Sequence, residues 1–236
     1  MAFPTVTGTP TKAATASSTS HTVTLPASIA AGELLMVFFT ARFASTPKTS
    51  GYTWPAGWTE IEDEAFDTSG NSAKMGVAYR IADGSEGGTN ITVTTAAASE
   101  GAYIAFRINN WHGTTPPEKG TAVTSSGGAT PDPPNLAPSW GAADNLWIVF
   151  AARNIAGGST LVAYPANYTS NQNDQASATL VRGNVATRAL NAASENPGAF
   201  SFSSGQFEVV NTFAVRPANA GSLIFNPAPF QPFLVR

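Results

Sequence analysis

One long internal repeat restricts the fold of this chain more than any other feature of its sequence. Three segments of the first half recur in the same order in the second half: residues 32–41 as 143–152, residues 54–59 as 164–169, and residues 104–107 as 213–216. In the first match Leu34 corresponds to Leu146, and the second match relates WPAGWT to YPANYT. The offsets of 112, 110 and 109 residues are far longer than the ~20–50 residues of solenoid repeats, so they predict two related tandem units.

Within each half, short alternating or apolar segments predict β-strands. In the first half these segments are residues 22–25, 34–41, 58–61, 74–81, 89–94 and 102–108. Gly, Pro, Ser and Asn separate them, which is typical of the turns in β-sandwiches. We therefore predict an all-β fold with two tandem, related β-sandwich halves of jelly-roll or immunoglobulin-like type, at residues 1–112 and 113–217, and an extended C-terminal arm at residues 218–236.

The prolines indicate where the two halves are connected. Six of the 17 prolines fall within residues 113–138, which makes this segment the natural connection. Two closely packed halves and two free domains fit the repeat equally well. A single sandwich built jointly from both halves is the less favoured alternative.

Composition argues against nucleic acid and membrane as partners. Charged residues make up only 11% of the chain, against roughly 25% in an average soluble domain. The net charge is −3 and the basic residues are scattered, whereas nucleic-acid binding needs a clustered basic surface. The longest apolar run, residues 34–39, is much shorter than the roughly 18 residues of a spanning helix. The chain has no cysteine, which excludes disulfides and thiolate sites.

The N-terminal residues do not have the pattern of an export signal. The first 20 residues contain no basic segment followed by an apolar stretch, so we predict that the chain is not secreted through such a signal. A charge-poor surface of Ser, Thr, Asn and Gly is nevertheless typical of extracellular and particle proteins. Together these features predict assembly in a bacterial cytoplasm and release by lysis. The alternative is that a signal was removed from this sequence.

The sequence offers no catalytic constellation. The two histidines, His21 in a Ser/Thr-rich segment expected to be a loop and His112, are not at ligand spacing from each other. A serine triad needs a histidine base, and no Gly-x-Ser-x-Gly elbow occurs. No glycine-rich stretch fits a phosphate-binding loop. We therefore predict a protein that is not an enzyme, with no catalytic residues, no cofactor and no metal.

The densest charge is an acidic cluster made of Glu60, Glu62, Asp63 and Glu64. Two carboxylates that face each other ~5–10 Å apart hydrolyse glycosides, which makes a glycan hydrolase the third-ranked function. On a regular strand Glu60, Glu62 and Glu64 would share one face, and we favour a solvated strand face over a site. Residues 67–71 and 83–86 carry oxygen ligands that suit Ca²⁺, although both segments also fit ordinary turns.

Aromatic residues recur at equivalent places in both halves. Tyr52, Trp54 and Trp58 of the first half are matched in the second by Tyr164 and Tyr168. Because sugars stack on aromatic rings, the first three are candidate glycan-binding residues. The favoured interpretation is that these rings pack at the open end of the sandwich, since positions kept in both halves are typical of a core.

The C-terminal arm continues beyond the repeat and is apolar with interspersed prolines. Its candidate partner-binding residues are Leu223, Ile224, Phe225, Phe230, Phe233 and Leu234. An exposed apolar tail is unfavourable in water, and each such side chain contributes roughly 1.5–3 kcal/mol when buried. We expect the arm to dock on a neighbouring subunit as an extended segment. The alternative is that it folds back on its own domain.

The first half contains four characteristic motifs: TLPA at residues 24–27, GELL at 32–35, PAGWT at 55–59 and YRIADGSE at 79–86. These motifs resemble those of a poorly characterised family of phage-encoded virion structural proteins. The resemblance covers residues 22–108 directly and the second half more loosely, where LVRGN at residues 180–184 replaces the YRIADG motif. These motifs specify turns and core positions, so they indicate the fold and the biological context of the protein and not an activity.

The resemblance implies a bacteriophage virion protein on the particle exterior, either capsid decoration (cement) or a subunit of a head or tail appendage. Its expected partners are other virion proteins, and we expect a homo-oligomer, with a trimer among the symmetries considered. A carbohydrate-binding adhesin module that recognises a host surface glycan through Tyr52, Trp54 and Trp58 is the alternative.

Overall fold

The computed structural model describes residues 2–43, 51–68, 71–155, 158–175 and 180–219, with backbone only at 67, 68, 71 and 170–175. The predicted all-β class is confirmed, because these residues form strands and no helix. The described part of the chain accordingly holds no helix of the length and apolarity needed to cross a bilayer.

Two six-stranded antiparallel sheets form the molecule. The first sheet consists of β1 (Thr5–Val6), β2 (Thr11–Thr24), β3 (Leu34–Arg42), β4 (Thr59–Thr68), β5 (Asn71–Ile81) and β6 (Asn90–Asn109). The second sheet consists of β7 (Glu118–Lys119), β8 (Val123–Gly128), β9 (Ala143–Asn154), β11 (Thr169–Gln175), β12 (Val181–Ala192) and β14 (Gln206–Val215). A short ribbon pairs β10 (Leu161–Ala163) with β13 (Ser201–Phe202).

The two sheets have the same strand order. In the first, β4, β5, β3 and β6 are neighbours in that order, and β1 and β2 both pair with β6. In the second, β11, β12, β9 and β14 follow the same order, and β7 and β8 both pair with β14. Each strand of the first sheet therefore has a counterpart at the same place in the second.

The strand pairing corrects one of the three sequence matches. Leu34 of β3 pairs with Ile108 of β6, and its counterpart Leu146 of β9 pairs with Val215 of β14. Ile108 is therefore equivalent to Val215, an offset of 107 residues, and the predicted offset of 109 for these strands is wrong by two. A slip of two residues keeps every side chain on the same face, so alternation could not reveal the error.

The sheets pack face to face around one inner cluster. Leu34, Met36 and Phe38 of β3 lie in this cluster together with residues of the second sheet, including Ile148 and Phe150. The ring of Phe38 meets those of Phe150 and Phe213 edge to face, with centroids 5.5 and 5.9 Å apart. Each half thus contributes one sheet to a single shared sandwich, the arrangement that the sequence left as the less favoured alternative, and the division at residues 112 and 113 into independently folding units stays a prediction.

The outer face of each sheet is also covered. Leu35, Val37 and Phe39 point away from the inner cluster and pack against covering residues that include Leu25 and Tyr52. In the second sheet Leu136, Phe200 and Phe202 cover Trp147 and Val149 in the same way. Because both faces of β3 and β9 are buried, these strands are apolar at nearly every position, like the interior strands of a layered fold.

Two predicted strands of the first half form one long strand. Residues 90–94 of the first and all of the second, residues 102–108, belong to β6, which continues through the Ala- and Ser-rich stretch between them. This stretch lacks apolar alternation, but it pairs with β2, whose register is interrupted on both sides of Ser18. The strand is therefore determined by its partner and not by its own pattern.

Candidate functional site

The acidic cluster lies on β4, where a β-bulge divides its carboxylates between two faces. Glu60 pairs with Ala78 of β5, and Glu62 pairs with the next residue, Val77, so one residue of β4 is unpaired. Neighbouring residues of β5 point to opposite faces, and Glu60 and Glu62 therefore do so as well. The expectation that Glu60 shares a face with Glu62 and Glu64 is wrong, because the period of two does not continue through a bulge.

On the outer face, Glu60 contacts the aromatic cover directly, and Asp63 is linked to it through Lys74. Glu60 accepts a hydrogen bond of 2.7 Å from the indole Nε1 of Trp54. Burial raises the pKa of Glu60, and the bond from Trp54 partly offsets that shift. Asp63 forms an ion pair with the buried Lys74, whose Nζ lies 5.0 Å from the ring centroid of Tyr52. Both carboxylates therefore hold the cover on the sheet.

The three candidate glycan-binding aromatics form a continuous row of rings in this cover. Tyr52 and Trp58 are buried, with 7% and 9% of their surface exposed. The half-buried Trp54 stacks on Trp58 with centroids 6.3 Å apart and meets Tyr52 at 6.4 Å. Gly76 makes room for Tyr52, since a Cβ there would lie 2.3 Å from the Tyr52 ring. Two of the three rings thus belong to the core, and glycan binding by them stays a prediction.

On the inner face, Glu62 connects the two sheets. Its buried carboxylate lies 2.9 Å from Nζ of Lys119 on β7 and accepts a second bond from Nδ2 of Asn211 on β14. These contacts join one edge of the first sheet to the second sheet. Sequence reasoning missed them because the three residues are far apart along the chain and no motif relates them.

The second sheet contains a buried ion pair. The side chains of Arg153 and Glu208 are both 0% exposed, and Nε lies 2.7 Å from Oε2. Arg153 also donates to Oγ of Ser159 and to the carbonyl oxygens of Gly128 and Ser204, at 2.9, 3.3 and 3.2 Å. Burial lowers the pKa of Arg153 and raises that of Glu208, while each charge counteracts the shift of the other. The pair ties the covering loops to the sheet.

The histidines occupy structural positions. His21 lies within β2 and not in a loop, and only 1% of its surface is exposed. Its Nδ1 is 2.8 Å from Oγ1 of Thr15 and its Nε2 is 3.2 Å from Oγ1 of Thr95, so both ring nitrogens have hydroxyl partners. Burial lowers the pKa of His21. His112 accepts a hydrogen bond of 3.2 Å from the backbone N–H of Thr115.

The loop at residues 83–86 is held together by its own carboxylates. Glu86 accepts hydrogen bonds from the backbone N–H groups of Asp83 and Gly84, at 2.9 and 3.0 Å, and it pairs with Arg80 at 3.0 Å. Asp83 pairs with the same guanidinium at 2.7 Å. Within the ranges that the structure describes, no three His, Asp or Glu side chains group as metal ligands.

Two open clefts occupy equivalent places in the two halves. The Gly57 cleft measures about 350 Å³ and is lined by Gly57, Thr59, Tyr79, Arg80 and Ile81. The Asn167 cleft measures about 470 Å³ and is lined by the counterparts Asn167, Thr169, Thr187, Arg188 and Ala189, with Leu146 and residues 4–6 in addition. The equivalence follows from the pairing, because Thr59 pairs with Tyr79 as Thr169 pairs with Thr187. Residues 187–192 are therefore the counterpart of the YRIADG motif, and the expectation that residues 180–184 replace it is wrong.

The remaining sequence-predicted positions fall outside the described residues. These are the candidate partner-binding residues Leu223, Ile224, Phe225, Phe230, Phe233 and Leu234, and part of the acidic loop at residues 67–71. The last described contacts of the chain are a bridge between Trp111 and Pro217 and a bond from the N–H of Ala218 to the carbonyl of Asn110.

Comparison with protein families, with characterised proteins and with solved structures finds no match for this chain. The fold and the contacts define an all-β protein of two packed sheets. Its resemblance to phage virion proteins stays a prediction.

Proposed function

We propose that this chain is a structural protein of a bacteriophage particle, displayed on the exterior as capsid decoration or as part of a head or tail appendage. One observation carries the proposal: the charged groups that could perform chemistry are engaged in holding the molecule together. Glu62 joins the two sheets, Asp63 pairs with Lys74, and Arg153 pairs with Glu208. The bulge in β4 also separates Glu60 from Glu62, so these two do not form the facing pair that glycoside hydrolysis needs.

The architecture supports a role as a rigid projecting module. Both faces of each sheet are buried, the inner faces against each other and the outer faces under covering loops. Such layered packing resists deformation because protein interiors are close-packed. The low charge content of 11% suits a protein that is presented on a particle.

The positions of the chain ends support attachment through one end of the sandwich. Thr5 pairs with Asn109, and Pro217 forms a bridge with Trp111 only two residues further on. Both described ends of the chain therefore lie beside the junction between the halves. In this proposal the apolar segment that follows residue 219 continues from that end and docks on neighbouring virion subunits.

Truncation after Asn219 tests the proposal. This variant keeps the described contacts of Pro217 and Ala218, so we expect an unchanged melting temperature. We expect the full chain to be a homo-oligomer and the truncated chain a monomer, as measured by light scattering coupled to gel filtration. A full-length variant with Phe230→Ser and Phe233→Ser serves as the matched control and should also dissociate.

Mass spectrometry of purified particles of the encoding phage tests the location. We expect the full chain in the particles and its loss when the truncated gene replaces the natural one. A full chain that is monomeric and absent from purified particles would contradict the proposal.

A further inference from the structure

We infer that the Asn167 cleft is a binding site for a neutral saccharide. This site is separate from Tyr52, Trp54 and Trp58, and it does not depend on the chain being a particle protein. The cleft volume of about 470 Å³ lies within the ~300–1,000 Å³ that is usual for small-ligand sites.

The lining of the Asn167 cleft combines apolar surface with a polar rim. Half-buried Val6 and exposed Ala189 give the lining apolar surface that a ligand can reach, and Asn167 and Thr169 add exposed polar side chains. A pyranose ring has the matching distribution, with apolar C–H groups on its faces and hydroxyl groups around its periphery. The cleft therefore presents complementary surface to both parts of such a ring.

The polar groups of the rim are available to a ligand. Within the described part of the chain, the side chains of Asn167 and Thr169 make no hydrogen bond. An amide offers two donors and an acceptor, and a hydroxyl offers one donor and two lone pairs. These groups match the alternating donors and acceptors of neighbouring sugar hydroxyls.

The electrostatics favour a neutral ligand over an acidic one. Among the described lining residues Arg188 is the charged one, and its Nη1 lies 2.7 Å from Oε1 of Glu195. The carboxylate of Glu195 is nearly buried, so the guanidinium is already neutralised within the protein. A carboxylate on the ligand would find no uncompensated positive charge among these described residues.

Comparison with the other half shows which side chains distinguish this cleft from its counterpart. Asn167 has φ = 68° where its counterpart Gly57 has φ = 85°. Glycine is the usual residue for this left-handed conformation, and asparagine tolerates it, so the second half gains a carboxamide at the rim. Thr187 stands in place of Tyr79, which replaces a ring by a small hydroxyl side chain, and the cleft is larger than its counterpart.

Titration of the isotope-labelled full chain with methyl pyranosides tests the inference. The probes are the methyl glycosides of glucose, galactose, mannose, N-acetylglucosamine and rhamnose, with methyl glucuronide as the acidic comparison. We expect at least one neutral probe to shift the backbone amide resonances of residues 167–169 and 187–189. The acidic probe should bind no more tightly than its neutral parent, glucose.

Two conservative variants test whether the saccharide binds in the Asn167 cleft. Asn167→Gly removes the carboxamide but suits the positive φ, and Thr169→Val removes the hydroxyl while keeping a β-branched strand residue. Each should weaken binding about tenfold, as expected for one lost hydrogen bond of ~1.4 kcal/mol. The control Val162→Thr, at an exposed residue outside the cleft, should bind like the natural chain.

Three results would overturn the inference. These are no response to any neutral probe, unchanged affinity in both cleft variants, and shifts confined to residues 52–58. Because the probes report on the cleft and the C-terminal truncation reports on assembly, failure of one leaves the other unaffected.

Discussion

The pair of Arg153 and Glu208 distinguishes the second sheet from the first at the level of single residues. Arg153 and Glu208 face each other across β9 and β14, and the equivalent pair in the first sheet is Ala41 and Gly101. The first sheet fills this place with the ring of Phe39 and the hydroxyl of Thr15, both within 3 Å of the position a Gly101 Cβ would take. The same strand pairing thus accommodates, at this place, either packed side chains or a buried, hydrogen-bonded charge pair.

Removing one member of this pair should be strongly destabilising. Glu208→Leu leaves Arg153 buried without its counter-charge, and we expect a loss of about 3–5 kcal/mol in the free energy of unfolding. The double variant Arg153→Met with Glu208→Leu should lose less than the two single variants added together, as measured by urea unfolding. Single variants that each cost under ~1 kcal/mol, as for a surface pair, would contradict this.

Gly76 is required by its contact with Tyr52. Gly76→Ala would place a Cβ within 2.3 Å of the buried ring, and such overpacking typically costs about 1–3 kcal/mol. Gly198→Ala is the matched control, since no atom lies within 4 Å of its added Cβ. Thermal unfolding should show a lowered midpoint for Gly76→Ala alone. Equal midpoints for the two variants would show that Tyr52 moves aside freely.

His21 should make stability depend on pH. Because burial lowers its pKa below 6.5, the unfolded chain takes up a proton at a higher pH than the folded chain. This contribution to stability is therefore fully present above about pH 6.5 and is lost as the pH falls through the folded-state pKa. Between about pH 7.5 and pH 5 the natural chain should lose more unfolding free energy than His21→Gln. Equal losses in both chains would contradict the assignment.

At the scale of strands, the β-bulge is a shared feature of the two halves. In β4 it lies between Glu60 and Glu62, and in β11 it lies between Ser170 and Gln172, which is the equivalent place. A bulge adds one residue and rotates the strand that follows. Here it turns Glu62 towards the second sheet, where Lys119 and Asn211 bind it.

Deletions within β4 should distinguish the unpaired residue of the bulge from residues of the regular ladder by their effect on stability. Deleting Ile61 removes the unpaired residue and leaves the pairs of Glu60 and Glu62 in place, so we expect a loss of only about 1–2 kcal/mol from its partly buried side chain. Deleting the exposed Glu64 shifts a regular ladder by one residue and turns Phe66 to the opposite face. Urea unfolding should therefore show the larger loss for the Glu64 deletion. A larger loss for the Ile61 deletion than for the Glu64 deletion would contradict this account of the bulge.

At the scale of the whole molecule, the shared inner cluster makes each half depend on the other. Phe38 packs against Phe106 of its own sheet and against Phe150 and Phe213 of the second sheet. The inner face of an isolated half would expose these side chains to water. Contacts between the two halves therefore contribute to the stability of the sandwich.

Residues 1–112 alone should not form a stable fold. We expect this fragment to aggregate or to lack dispersed amide resonances, because its inner face has no partner. Residues 1–219 serve as the control and should give a well-dispersed spectrum and a single unfolding transition. A soluble fragment 1–112 with its own cooperative transition would show instead that the halves fold independently.

Local sequence pattern was sufficient to predict the all-β class and the interior strands β3, β5 and β6 of the first sheet, because alternation and turn residues act over a few neighbours. Leu34–Arg42 was found nearly to the residue for this reason. The repeat was visible because equivalent strands and the turns before them keep similar residues in the two halves. None of these features depends on how the sheets meet.

Tertiary structure alone decided the register between the sheets, the bulge and the partners of the buried charges. Glu62 and Asn211 are 149 residues apart, and nothing local to either residue indicates the other. His21 in β2 and the Ala-rich part of β6 belong to strands only because β2 and β6 pair with each other. The physical reason is that backbone hydrogen bonds between distant segments, and the exclusion of water between faces, depend on neighbours in space and not on neighbours in the chain.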